Sequence, residues 1–406
     1  MRVCMLAYTF YESDARVIRY ASTLAERGDS VDVVALRRPG QPNHEVVNGV
    51  DVHRIQERTI NERGRLTYVF RILRFLFRSL WIISARHAGR PYDLIHVHSV
   101  PDFLVFAAVW PKLLGTPIVL DIHDVLPEFY GSKFHVSEKS LVFKLLVLVE
   151  RFSIRFADHV IVANHIWHQR LVSRSVSELK CTPICNYPDP KVFFPRQKEK
   201  KDGRFIITYP GTLNWHQGVD IAVTAFAKVA DRIPDADLHI YGEGPEKDSL
   251  IRLAQQLGLN TRVVFHDFVP TSQIASVMAN SDLAVEPKRA ATAFGNEAAS
   301  TKTWEFMALR VPTIVSKTRV HSYYLDDTMV KFFEPDNVAE LANCILLLKE
   351  NPEIRERLVS NATSFIQANS WDVRKHAYLD LVDSLAGLSS EAQPGQPSSS
   401  RRPVAG

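Results

Sequence analysis

MRVCMLAYTFYESDARVIRYASTLAERGDSVDVVAL, residues 1 to 36, decides the fold class. Residues 2 to 8 form an apolar run of strand length, which reads as a strand buried on both faces. DARVIRYASTLAERG follows as an apolar-periodic helix closed by a Gly-containing turn, and DSVDVVAL reads as a second strand. This is the rhythm of a β-α-β unit, and it predicts an open, mainly parallel α/β sheet. Further strands are expected at 94 to 97, 117 to 121 and 159 to 163, so functional side chains should collect where strands end.

The stretch PICNYPDPKVFFPRQKEKKD mixes prolines with a charge run and has no sustained period. After it, RFIITYPGTLNW opens a second α/β domain with strands predicted near 237 to 241, 262 to 266, 283 to 286 and 313 to 316. The expected organisation is a first Rossmann-like domain over 1–185, a connection over 186–202 and a second Rossmann-like domain over 203–365. A helix over 366–387 is expected to pack back on the first domain, and the polar, Gly- and Pro-rich end, 388–406, to be disordered.

A chain of 406 residues is too long for one ordinary core and matches two domains. With 46% hydrophobic and 23% charged residues it has neither a collagen-like nor a linker-like composition. A net charge of +4 favours anionic ligands or surfaces without establishing either, and no nucleic-acid partner is expected. The four cysteines are too sparse for a disulfide framework or a structural zinc site. The N-terminal segment lacks a signal-peptide pattern, so a cytoplasmic location is expected.

Several stretches carry candidate chemistry. NEAASTKTWEFMALRVPTIVS, residues 296 to 316, reads as Glu297 and Glu305 eight positions apart at the mouth of one helix, with Lys302 between them. Helix N-terminal amides hold phosphate and carboxylates accept hydrogen bonds from hydroxyls, a pairing suited to a sugar nucleotide; ordinary capping uses the same residues. PGTLNWHQGVD supplies Gly211, Thr212 and Gly218, and YGEGP supplies Gly242 and Gly244; both loops follow strands and suit either a diphosphate or a plain turn. LDIHDVLPEF puts His123 beside Asp121 and Asp124 at a strand end, as an active-site or a structural histidine. His96 and His98 share a strand face without the ligand pattern of a metal site, and no metal is expected. Lys288 and Arg289 are further cations for a diphosphate. The segment 65–86 alternates bulky apolar residues with arginines, so it either covers the sheet or lies on an anionic membrane surface peripherally, and is too punctuated to span one.

Together, DARVIRYASTLAERG, DIHDVLPE, PGTLNWHQGVD, YGEGP and EAASTKTWEFMALRVPTIVS resemble the retaining nucleotide-sugar glycosyltransferases of family 4. The resemblance runs to about residue 387 and implies the GT-B fold, two Rossmann-like domains with an interdomain active-site cleft. It implies that Glu297 contacts donor-sugar hydroxyls, Glu305 the nucleotide ribose and Lys302 the diphosphate. His123 would face the donor sugar, and the backbone around Phe268 and Val269 would recognise the base. The family's usual basic residues after the first glycine and before the second are replaced here by Thr212 and Gln217, so other groups must neutralise the diphosphate.

The implied reaction moves a sugar from a UDP- or GDP-linked donor to the hydroxyl of a glycan or lipid-linked glycan, without a cofactor or a catalytic metal. A nucleotide-sugar epimerase and a noncatalytic sugar-nucleotide-binding protein are the alternatives, separated by acceptor dependence.

Overall fold

The computed structural model describes residues 1–58, 65–134, 136–199, 203–267 and 269–388. One compact unit takes Met1–Asn186 and, at the end of the chain, the described residues from Lys375 on; the other takes Tyr187–Arg374. Each carries its own twisted sheet with helices packed on it, the arrangement of a Rossmann-like half of the GT-B fold. The expected tail over 388–406 lies, after Leu388, outside the described residues.

The first sheet has eight strands: β1 (Arg2–Phe10), β2 (Ser30–Arg37), β3 (His44–Val47), β4 (Val50–Glu57), β5 (Leu94–His98), β6 (Ile118–Ile122), β7 (His159–Val162) and β8 (Cys181–Pro183). Their order is β3-β4-β2-β1-β5-β6-β7-β8, and only β3 with β4 is antiparallel. Its helices are α1 (Ala15–Arg27), α2 (Arg65–Gly89), α3 (Val109–Leu113), α4 (Leu126–Phe134), α5 (Leu141–Phe156) and α6 (His165–Arg174). The continuous apolar run of β1 places it at the centre, with Val3, Cys4, Met5 and Leu6 wholly buried. Asp14 starts α1 by accepting from the backbone N–H groups of Arg16 and Val17, and Gly28 ends it at φ 100°, in the left-handed region. Val17, Tyr20, Ala21 and Leu24 then form the buried stripe of that helix. The chain leaves β1 towards β2 on one side and has β5 on the other, so the strand order reverses between β1 and β5. In open α/β sheets that reversal opens a crevice at the carboxyl ends of the strands.

Asp102, buried in the turn after β5, raises a separate point of stability. Burial, reinforced by the charge of Glu150, pushes its carboxyl up to about 7. Because the folded chain holds this proton more tightly than the unfolded chain, stability falls as pH rises from about 4 through 7, at up to about 1.4 kcal/mol per pH unit. Asp102→Asn is expected to flatten that slope in urea unfolding measured at pH 5 and pH 7. Equal slopes in the two proteins would refute the assignment.

The second sheet has six strands, all parallel: β9 (Phe205–Pro210), β10 (Ala236–Tyr241), β11 (Val263–His266), β12 (Leu283–Glu286), β13 (Thr313–Ser316) and β14 (Lys331–Phe333), in the order β11-β10-β9-β12-β13-β14. Its helices run from α7 (Val219–Val229), α8 (Lys247–Gln256) and α9 (Thr271–Ala279) through α10 (Ala293–Glu297), α11 (Thr301–Ala308) and α12 (Arg319–Tyr324) to α13 (Val338–Glu350) and α14 (Pro352–Ala368). The last helix, α15 (Trp371–Leu385), begins in this unit and ends in the first, where Tyr378 lies 4.2 Å from the ring of Tyr20 and its hydroxyl 3.0 Å from His96 Nδ1. Here the order reverses between β9 and β12, which bring Gly211 and Glu286 to neighbouring strand ends.

Candidate functional site

In the second unit the candidate site is built around Lys302, in the first turn of α11. Its ammonium sits 3.0 Å from Glu286 Oε2 at the end of β12. It donates to the hydroxyl of Tyr209 and to Oε1 of Gln217, both at 3.1 Å, and lies 4.3 Å over the Tyr209 ring. Burial alone would weaken the ammonium, but the Glu286 carboxylate and Tyr209 outweigh it and hold the lysine charged above its ordinary range. A Cβ at Gly211, where φ is 147°, would come within 3.0 Å of Nζ, so the missing side chain lets the cation lie against the backbone that leaves β9. Ser300, ahead of α11, makes no side-chain cap, which leaves the first-turn N–H groups uncapped beside the cation.

The two glycine loops are stitched to each other. A Cβ at Gly242 would stand 1.9 Å from the carbonyl oxygen of Gly211, and one at Gly244 2.3 Å from that of Leu213. Gly211 N–H donates to Tyr241 O and Leu213 N–H to Glu243 O. Gly218 starts α7 with its Cβ position 2.1 Å from Pro287 O, so close backbone approach accounts for these glycines. Thr212 lies in the same loop, its carbonyl accepting from the Tyr209 hydroxyl.

The single helix expected across Glu297 and Glu305 is two helices. Glu297 ends the short α10, started by Thr292, whose side chain accepts from Gly295 N–H, while Glu305 lies in the second turn of α11. Glu297 is buried, and its Oε1 accepts from Arg319 Nη1 at 2.8 Å. The two other expected cations are otherwise engaged. Lys288 is buried and donates to Ala298 O, and Arg289 joins Asp220 to Asp336 while stacking 4.8 Å over Trp215. Val269 follows β11 within the described residues; Phe268 lies outside them.

Glu286 is a residue that sequence reasoning missed. It ends the strand LAVE wholly inside the unit, its Oε1 without a hydrogen-bond partner. Ser300 Oγ, Thr303 Oγ1, Ser316 Oγ and His321 Nε2 are buried without partners on the adjoining elements. Such groups are costly to leave bare, which makes this region suited to a polar ligand.

In the first unit, the candidate site gathers at the carboxyl ends of β5 and β6. Asp121 receives both a 2.7 Å and a 2.8 Å bond from the guanidinium of Arg16. Arg16 also donates to Ile184 O and to Asn186 Oδ1. His123 Nε2 lies 3.1 Å from Asp121 Oδ2 and 3.1 Å from His98 Nδ1. Burial works against a charged His123, yet Asp121 overrides it and raises the ring above its ordinary value. Burial lowers His98 and, well below the usual range, His96, so the proton of this cluster is held on the outermost ring. The rings of His96 and His98 stack at 4.1 Å, the shared face expected from their spacing. His96, His98 and Asp121 offer atoms close enough for a metal, but Asp121 commits both oxygens to Arg16. A cation placed beside that buried guanidinium would be repelled, so the donor set does not fit one.

Two family descriptions match the chain in sequence order. Residues 14–186 match the "Glycosyl transferase 4-like domain" and residues 191–365 match "Glycosyl transferases group 1". The chain belongs to the GT-B glycosyltransferase superfamily. Its general activity is glycosyl transfer. Among the relatives of this GT-B chain, the α-D-kanosaminyltransferase of Streptomyces kanamyceticus is 25% identical over 76% of this chain and 80% of its own. Two solved structures share the fold. Sucrose-phosphate synthase of Thermosynechococcus elongatus aligns at a TM-score of 0.78 and 20% identity, over 96% of this chain and all of its own. HepE of Anabaena, solved with UDP and glucose, aligns at 0.72 and 17%, over 95% and 100%.

Proposed function

We propose that this chain is a family 4 glycosyltransferase that moves a sugar from a UDP- or GDP-linked donor to an acceptor hydroxyl with retention, in glycan, polysaccharide or glycolipid assembly. The observation that carries the reading is Lys302, charged, anchored on Glu286 and laid against Gly211 at the strand-order reversal. A fixed ammonium beside uncapped helix N–H groups suits the diphosphate leaving group, whose negative charge grows as the sugar departs. We assign Glu297 to the donor-sugar hydroxyls, Glu305 to the ribose and the backbone at Val269 to the base. On the first unit, His123 is the proton-bearing group that we assign to the reaction. The departing phosphate takes the proton of the acceptor hydroxyl, so no protein nucleophile is required.

The UDP and glucose held in the HepE structure support a UDP-linked donor. The test is a mass-resolved screen of the purified chain with UDP- and GDP-sugars, with and without pooled acceptors. An acceptor-dependent mass gain is expected. Donor turnover without acceptor would overturn transfer in favour of an epimerase or a hydrolase. Glu297→Gln is expected to lower kcat by about a hundredfold or more while thermal unfolding moves little. Normal kcat in that variant would remove Glu297 from the sugar.

A further inference from the structure

The helices of the first unit expose far more apolar surface than covering a sheet requires. The connections β4 to β5, β5 to β6 and β6 to β7 all step the same way along the sheet, so right-handed crossovers place α2, α3 and α5 in one layer. Ile72, Phe75 and Ile83 form the buried side of α2, and the helix does cover the sheet. Its outer side is apolar as well: Phe70 is 66% exposed, Phe77 64% and Trp81 73%. On α5 the pattern repeats at helical spacing, with Leu141 83% exposed, Leu145 59%, Leu148 46% and Phe152 58%. The helical turn Asp102–Ala108 and the α3 that continues it lie between them, with Trp110 and Leu113 outward, and the turn meets α5 where Phe106 packs on Phe156 at 5.1 Å. Scattered exposed apolar residues are ordinary, but aligned stripes on neighbouring helices of one layer are not.

The charge of this layer names its occupant. Helix α2 contains no Asp or Glu, and the one acidic residue of α5, Glu150, is buried against Arg174. Arg74, Arg78, Lys144, Arg151 and Arg155 are exposed around the apolar stripes. Residues 389–406 hold no large apolar side chain except Val404, so this chain's own tail lacks the means to cover the face. Among the described residues no helix is long and apolar enough to cross a membrane. We infer that α2, α3 and α5 together form a face that docks in the plane of an anionic lipid bilayer, with leucines and aromatics in the interface and the basic side chains among the phosphates. The face extends well beyond residues 65–86, through α3 to α5. Resting on the transfer reading above, this makes the acceptor class one carried on lipid.

The test is sedimentation of the full chain with vesicles of phosphatidylethanolamine and phosphatidylglycerol, against phosphatidylcholine alone. Binding is expected to the first and not the second, to weaken with salt, and to shift Trp emission to the blue as Trp81 and Trp110 enter the interface. Leu145→Glu with Leu148→Glu, and separately Phe77→Ser with Trp81→Ser, are each expected to cut the partition coefficient by about tenfold or more. These positions are exposed, so circular dichroism and the affinity for a UDP- or GDP-sugar donor should be unchanged, which separates failure of docking from failure of the transfer reading. Absent vesicle binding, or binding indifferent to both variants, would overturn the inference. So would light scattering that shows a dimer dissolved by the same substitutions, since the face would then hold a second copy.

Discussion

Lys302→Met is expected to abolish detectable transfer and also to destabilise the second unit by about 3–5 kcal/mol. The second effect follows from burial: without the ammonium, the Glu286 carboxylate remains inside the unit with no cation at 3.0 Å and with its other oxygen already unpartnered. Adding Glu286→Gln removes the stranded charge, so the double variant should regain most of the lost stability in urea unfolding. It should not regain transfer, because the cation opposite the leaving diphosphate is still missing. That split separates the two roles of Lys302. Recovery of transfer in the double variant would show that the lysine acts only as a structural partner of Glu286. Failure of Glu286→Gln to restore stability would show that the ion pair is not what the unit loses.

Asp121→Asn should have the second largest effect, again of about 3–5 kcal/mol near neutral pH, because it leaves the guanidinium of Arg16 buried without a counter-charge. Although burial opposes its ionised form, the charges of Arg16 and His123 hold the Asp121 carboxyl well below the usual range. Its contribution is therefore complete above the ordinary carboxylate range and lost as pH falls through the depressed value, so wild type and variant should converge in strong acid. The variant also removes what holds the proton on His123. The titration of that ring, followed by NMR, should move to lower pH, and any activity that needs the imidazolium should fall more at pH 8 than at pH 6. An unshifted His123 would refute Asp121 as its positioning residue.

Much of this was legible in the chain because buried parallel strands are written as continuous apolar runs. The strands ending in His98, Ile122, Glu286 and Ser316 fall close to where those runs predict them. The edge strand β3 and its neighbour β4 are not predicted, although Asn48 and Gly49, at φ 51° and 80°, stand between two valine-bearing segments, a hairpin signature. The loop glycines were recognisable as important but not as to why: Gly242 meets Gly211 across thirty-one positions of sequence, and such backbone contacts leave no local pattern. Arg16 with Asp121 has the same difficulty, since its partner lies 105 residues away. Glu286 had one available signal, a carboxylate closing an apolar strand, and periodicity alone assigns that to a strand end rather than to a buried partner of Lys302.

The path of α15 has a consequence for how the molecule is made. Tyr378 fits into the first unit beside Tyr20 and His96 with no surface exposed, yet the ribosome adds it only after the whole of the second unit has been synthesised. The half of the molecule that is begun first is thus completed last. Until then the nascent chain carries an aromatic seat, formed by Tyr20 and His96 next to the Arg16 and Asp121 cluster, that awaits its plug. A chain stopped anywhere between Asn186 and Arg374 would keep every strand of the first sheet and still lack the residue that closes it.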